Sequence, residues 1–210
     1  MSKEKDFWSS LSRRRVAQEA AFLLYTMQEK EFKQAKERAA SILGLRVLPT
    51  NLEIAEELDR IADEYEGEER KTRLIRMREE ALKIMECLQD FHPKLIGSVW
   101  RGTANRNSDI DIVLFAPDES LVIKTLVSGG FKLTRIEMTP TAKDGSGEAT
   151  HIFLDLPSGD KAEIIVRRLE DMYVEERCEI YGDLKKGLTI SQLREVLEKD
   201  PLKKFIPKKA

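Results

Sequence analysis

Two carboxylates at alternate positions open an otherwise apolar run, Asp109-Ile110-Asp111-Ile112-Val113-Leu114-Phe115. Aspartate is a residue that strands avoid, so the pair needs a reason. In an extended strand side chains alternate between faces, which puts Asp109 and Asp111 on one face with Cα atoms about 6.6 Å apart. Ile110, Ile112 and Leu114 then share the opposite face and can be buried. Carboxylates this close raise each other's pKa unless positive charge sits between them. A divalent cation meets that need. Oxygen-only ligands suit Mg2+ or Mn2+ rather than Zn2+, for which the chain offers no His/Cys cluster. The plainer alternative for Asp-Ile-Asp alone is a solvated strand face.

Gly97-Ser98 moves the balance. The pair follows the short apolar run Leu95-Ile96 and precedes Asp109 by about ten residues. A glycine there lets the backbone turn tightly and bring its N–H groups close to an anion, and the serine adds a hydroxyl donor. Together they supply a triphosphate cradle beside a metal site. Two-metal phosphoryl transfer wants a further carboxylate to activate the attacking oxygen. Asp155 and Glu163 are the candidates. Asp155 ends a strand next to a turn, where a solvated acid is ordinary. Glu163 lies among Ala162, Ile164, Ile165 and Val166, where an acid needs a partner, and is preferred. Lys161, two residues earlier, shares its face and could meet a phosphate. Arg101 and Arg106 flank the glycine turn and are further phosphate candidates.

The elements that must hold these residues divide the chain in three. Residues 1–90 read as a helical arm. Val16, Ala20, Leu23, Leu24 and Met27 recur at helical steps, Glu31 to Leu43 stops at Gly44, and Thr50 and Glu53 have capping-box spacing. Gly67 breaks the third helix, and residues 69–90 form a fourth. Residues 91–180 read as an α+β core. Its strands are Leu95-Ile96, Ile110 to Phe115, Phe131 to Met138, His151 to Leu156 and Ala162 to Val166, with a helix at 121–128 and a flexible loop from Ala142 to Ala149. The turn Pro157-Ser158-Gly159-Asp160 makes 151–166 a β-hairpin. From Leu169 the spacing is helical again. Residues 181–210 form a helical, basic tail whose last helix starts near Thr189 or Ser191 and ends at Pro201.

The pattern apolar-Gly-Ser, gap, Asp-Ile-Asp-Ile, then one acid on a later strand resembles the nucleotidyltransferase superfamily typified by DNA polymerase beta. Within it, GSVWRGT and SDIDIVLF resemble archaeal CCA-adding enzymes and the minimal nucleotidyltransferases of toxin–antitoxin pairs. The segment ATHIFLDLPSGDKAEIIV is similar to the part of archaeal CCA-adding enzymes that carries their third carboxylate. The likeness spans about residues 91–168. It implies a small mixed sheet backed by helices, two Mg2+ ions (or Mn2+) and a nucleoside triphosphate. Asp109 and Asp111 would hold both metals, Glu163 the catalytic one, and Gly97, Ser98, Arg101 and Lys161 the nucleotide. The implied chemistry is in-line attack of a hydroxyl on the α-phosphate with pyrophosphate leaving. The third acid departs from the pattern, since Glu163 stands where aspartate is commoner. The 44 residues from 167 to 210 leave no room for the tRNA-handling domains of CCA-adding enzymes.

Composition sets the outer limits. A net charge of −2, with 41% hydrophobic and 35% charged residues, describes a globular chain and argues against coating nucleic acid over the whole surface. Charge is uneven: residues 51–90 hold 13 acidic and 7 basic side chains, residues 185–210 hold 8 basic and 3 acidic. Arg13-Arg14-Arg15 and the lysines from Lys203 to Lys209 are the basic patches open to phosphate. An RNA 3′ end, tRNA included, is the acceptor to expect; the alternatives are a protein or small-molecule hydroxyl, or a nucleotide- or RNA-binding regulatory module with weak turnover. The arm has three open roles: a homodimer contact, a dock for the acceptor, or a brace for the core. Cys87 and Cys178 read as reduced thiols in helical contexts, no apolar run is long enough for a membrane helix, and a cytoplasmic location is expected. His151 is either a substrate contact or a structural histidine, and His92 is a linker residue. Trp8 and Trp100 are candidates for stacking on bases, with packing the plainer fate of Trp100.

Overall fold

The protein is described from a computed structural model, which covers residues 2–140 and 148–207, with side chains from residue 9 onward. The Trp8 side chain, most of the expected flexible loop and the last two lysines of the tail therefore lie outside what is described. The chain forms two compact units. One comprises residues 1–70, 105–107 and 177–183, and the other residues 71–104, 108–176 and 184–210. The division at residue 70 replaces the one expected near residue 90. The reason is packing: Leu74, Met77, Ala81, Ile84, Met85 and Leu88 belong to the apolar core under the sheet.

The first unit is helical. Helix α1 (Ser2–Tyr25), α2 (Phe32–Leu43) and the start of α3 (Asn51–Cys87) bury a core rich in alanine, including Ala17, Ala20, Ala35, Ala39 and Ala62, around Val16, Leu23 and Ile54. Gly44 caps α2 in the left-handed conformation. The Thr50–Glu53 capping box forms in both directions, Thr50 N–H donating to Glu53 (2.7 Å) and Glu53 N–H to the Thr50 hydroxyl (3.2 Å). Gly67 interrupts α3 with φ 52° and ψ −128°, as its sequence position predicts.

The second unit is built on a five-stranded mixed sheet in the order β1-β2-β5-β4-β3, with β1 at Lys94–Ile96, β2 at Ile110–Phe115, β3 at Lys132–Pro140, β4 at Glu148–Asp155 and β5 at Lys161–Arg167. β2 and β5 are parallel and the other neighbours antiparallel. One face carries Ile110, Ile112, Leu114, Ala162, Ile164, Val166, Ile152 and Leu154, all buried. They pack with the C-terminal part of α3, with α5 (Glu119–Ser128) and with Leu193 and Val196 of α6 (Ile190–Lys199). The expected α+β architecture is present, and α6 starts on a capping box at Thr189.

Three local expectations change. Gly97 opens a short helix, α4 (Gly97–Arg101), so Trp100 and Arg101 are helical rather than in a loop. Glu148 and Ala149 already belong to β4. Past Leu169 only a 3-10 turn to Tyr173 forms. The chain then runs irregularly to Leu188, which bridges to Leu95 on the outer edge of β1 with reciprocal 2.9 Å hydrogen bonds. Gly187 is needed there, because a Cβ would meet the Leu95 carbonyl oxygen at 2.8 Å. Cys178 lies in this irregular stretch, not in a helix, and both cysteines are free thiols.

Candidate active site

The face of the sheet opposite the core collects the acids. Burial of Ile110, Ile112 and Leu114 fixes the rotation of β2, so Asp111 emerges on the other face, with Asp109 just before the strand. The parallel register sets Asp111 opposite Glu163, and the β1 register sets it opposite Ile96. Neighbouring strands run about 4.8 Å apart, so two carboxylates face each other across β2 and β5. Lys161 and Glu163 share a face of β5 by alternation, and Lys161 is electrostatically coupled to Asp109. Alternation along β2 and β5 thus sets Asp111 and Glu163 side by side, with Lys161 on the same face of β5.

Gly97 closes the site from above. It follows Ile96 with φ 69°, and a Cβ built on it would stand 1.9 Å from Asp111 Oδ2. Only glycine lets the backbone come this close to the carboxylate while adopting a left-handed φ. Ser98 follows in the first turn of α4. Gly97 and Asp111 are thus in direct contact.

Crowded acids hold on to their protons. Burial, followed by the charges of Glu163 and Asp109, pushes the Asp111 carboxyl up to about 7. Burial also raises Asp109, an effect opposed by Lys161 and reinforced by Glu163. An all-oxygen donor set held at this electrostatic cost fits a hard divalent cation, whose charge would remove the penalty. Among the described residues no three acid, histidine or cysteine side chains already converge as a coordination group. Glu163 instead bonds His151, Oε1 to Nδ1 at 2.5 Å.

The remaining predicted residues divide. Arg101 is 4% exposed, and its guanidinium donates to the Phe205 carbonyl at 2.8 Å while stacking on Trp100. It fastens the C-terminal segment to α4. Trp100 is 6% exposed in the core beneath the sheet. Arg106 belongs to the helical unit, where its N–H donates to Glu66 and its guanidinium covers the Tyr25 ring. Asp155 lies at the end of β4 within 3.7 Å of Lys132. His92 caps a 3-10 turn at φ 52°.

Sequence reasoning missed Arg78. It is fully buried on α3 and donates to four carbonyls: Val99 (3.1 Å) and Trp100 (3.1 Å) of α4, and Pro201 (2.6 Å) and Lys203 (2.9 Å) of the C-terminal segment. Burial lowers its pKa to about 10, so it stays charged at neutral pH. An arginine between the core residues Met77 and Ala81 gives no sequence signal beyond its misplacement on an apolar stripe.

Residues 78–144 match the family model described as a nucleotidyltransferase domain. The match runs from Arg78 through the Gly97-Ser98 turn and the Asp109/Asp111 pair, and stops before β4 and β5. That stretch of the chain is therefore similar to a nucleotidyltransferase domain, the class of enzyme the Gly97-Ser98 and Asp109/Asp111 pattern resembles. Solved structures similar to it include Cid1 in complex with the UTP analogue UMPNPP (19% identity, TM-score 0.33, 45% of this chain and 30% of that one). They also include the Cid1 poly(U) polymerase (18%, TM-score 0.31, 55% and 35%) and a cytoplasmic RNA terminal U-transferase (19%, TM-score 0.31, 55% and 34%). The chain spans about a third of the length of these structures. No curated protein matches it. Among the described residues no helix is long and apolar enough to cross a membrane.

Proposed function

We propose that the protein transfers a nucleoside monophosphate from a nucleoside triphosphate to a hydroxyl, most simply an RNA 3′ end (tRNA included), with Mg2+ or Mn2+ and release of pyrophosphate. The observation that carries this reading is the pairing of Asp111 with Glu163 across β2 and β5, with Asp109 on the same face and Gly97 against the Asp111 carboxylate. Asp109, Asp111 and Glu163 would hold the cations, which when bound supply charge to the α-phosphate and acidify the attacking hydroxyl. Gly97 and Ser98 take the triphosphate through backbone N–H and hydroxyl. Lys161, exposed beside Asp109, draws the phosphates to the sheet. Arg101 serves this site through α4, which its bond to Phe205 steadies.

An RNA acceptor is favoured by the basic C-terminal segment. A Cβ on Gly102, at the end of α4, would meet the Lys203 carbonyl oxygen at 2.8 Å and Lys204 Cα at 3.2 Å, so exposed lysines lie one short helix from the acid pair. The experiment is incubation with Mg2+ and each α-labelled nucleoside triphosphate in the presence of total RNA or of cell protein. Label on RNA is expected, and Asp109→Ala and Asp111→Ala should each abolish it. Label on protein would transfer the acceptor role to a protein hydroxyl, and no label on either would refute the reading.

A further inference from the structure

The third carboxylate does not stand alone. His151 pairs with Ile165 in the β4–β5 register and Phe153 pairs with Glu163, so His151 is a diagonal neighbour of Glu163 on the acid face. Diagonal neighbours are within reach of a ring. Its Nδ1 lies 2.5 Å from Glu163 Oε1, and its Nε2 lies 2.7 Å from the Thr139 hydroxyl on β3. Thr139, His151 and Glu163 thus form a row across β3, β4 and β5, ending opposite Asp111 on β2. The His151 and Glu163 side chains are 20% and 23% exposed, dry enough for the pair to be held in one geometry.

We propose that His151 is the positioning residue of the third carboxylate: clamped by Thr139, it donates from Nδ1 to Glu163 and fixes the direction in which that carboxylate meets a divalent cation. This rests on the nucleotidyl-transfer reading above. A glutamate reaches one methylene further than an aspartate and gains an extra torsion. At the position where aspartate is commoner, an orienting donor restricts that freedom. Groups that orient a cation's ligands typically change activity by about 10- to 100-fold when removed.

With only two histidines in the chain, the pair can be tested directly. Long-range 1H–15N spectra of the imidazoles should place the His151 proton on Nδ1. Glu163→Ala should shift the His151 signals and leave those of His92 in place. Mn2+ added to the wild type should broaden His151 before His92. In the transfer assay, His151→Ala should lower kcat about 10- to 100-fold and raise the Mg2+ concentration for half-maximal rate severalfold, with the KM for nucleotide within about twofold. His151→Asn, whose amide nitrogen stands where Nδ1 stood, should recover most of the rate. His151→Ala combined with Glu163→Ala should be no slower than Glu163→Ala alone. His151 signals that ignore Glu163→Ala, or a His151→Ala enzyme with wild-type kcat and Mg2+ demand, would overturn the assignment. A wild type that transfers nothing refutes the nucleotidyl-transfer reading instead, and the spectra then still decide whether His151 holds Glu163.

Discussion

Gly97 and Asp111 touch: the space a Cβ would fill at Gly97 lies 1.9 Å from Asp111 Oδ2, and Gly97 has φ 69°. In Gly97→Ala the flexible Asp111 carboxylate can swing aside, so the stability cost is mainly the left-handed backbone, about 1–2 kcal/mol. The catalytic cost is larger, because the displaced atom is the proposed cation ligand. A misplacement on the order of 1 Å is worth about a hundredfold in rate. The expected result is a folded protein, slightly less stable in urea, with transfer reduced by roughly two orders of magnitude. Equal and modest losses of stability and activity would contradict the proposed role of this contact.

Asp111 is held against its charged form, and the sign of the effect on stability follows. Its folded pKa is raised from 3.8 to about 7. Between those values the folded chain keeps a proton that the unfolded chain has released. Stability of the cation-free protein therefore falls as pH rises through this window and levels off above about 7, by on the order of 2–4 kcal/mol from this group. Asp111→Asn removes the dependence. Urea unfolding in EDTA at pH 5 and pH 8 should show the variant gaining on the wild type at pH 8, and Mg2+ should restore the wild type. A variant-to-wild-type difference equal at both pH values would rule out the buried-acid account.

Arg78 links α4 to the C-terminal segment through four carbonyl contacts. Arg78→Met leaves those oxygens without their donor inside the core and should cost roughly 3 kcal/mol or more. Arg78→Lys should recover only part, because an ammonium has three donors and no planar fork. Chemical denaturation of both variants is the measurement. An Arg78→Met protein within about 0.5 kcal/mol of wild type, the usual range for surface changes, would show that the hub is dispensable.

How far the chain could be read before folding depends on the range of the interaction. Ile110 to Phe115 is legible to the residue, because alternation over six positions is a local signal that burial of Ile110, Ile112 and Leu114 then enforces. The facing of Asp111 and Glu163 follows from the same alternation once β2 and β5 pair, though their pairing itself is non-local. Its position beside the glycine turn makes Arg101 look like a loop phosphate ligand. It lies inward because α4 forms and the Phe205 carbonyl, about a hundred residues away, accepts a hydrogen bond from its guanidinium. Sequence alone does not choose between substrate contact and structure for His151, since its row with Thr139 and Glu163 exists only after three strands align. The helix expected from Leu169 is only a 3-10 turn to Tyr173, and the bridge that later ties Leu188 to Leu95 of β1 is a non-local pairing that helical spacing cannot reveal.

Lys161 offers the last test, through charge alone. Its ammonium lowers the pKa of Asp109 against the burial and the Glu163 charge that raise it. Removing it in Lys161→Ala should therefore raise Asp109 further. The proposed reaction needs Asp109 ionised to hold a cation, so the acid limb of the pH profile for kcat/KM should move to higher pH in the variant. Lys161→Arg, which keeps the charge, should leave the limb in place. Lys161 is exposed, so salt should shrink the wild-type-to-variant difference as the screening length falls from about 10 Å at 0.1 M to about 3 Å at 1 M. A limb that stays put in Lys161→Ala at low salt would show that the lysine does not act on Asp109. A KM for nucleotide that also stays put would remove it from the phosphate site.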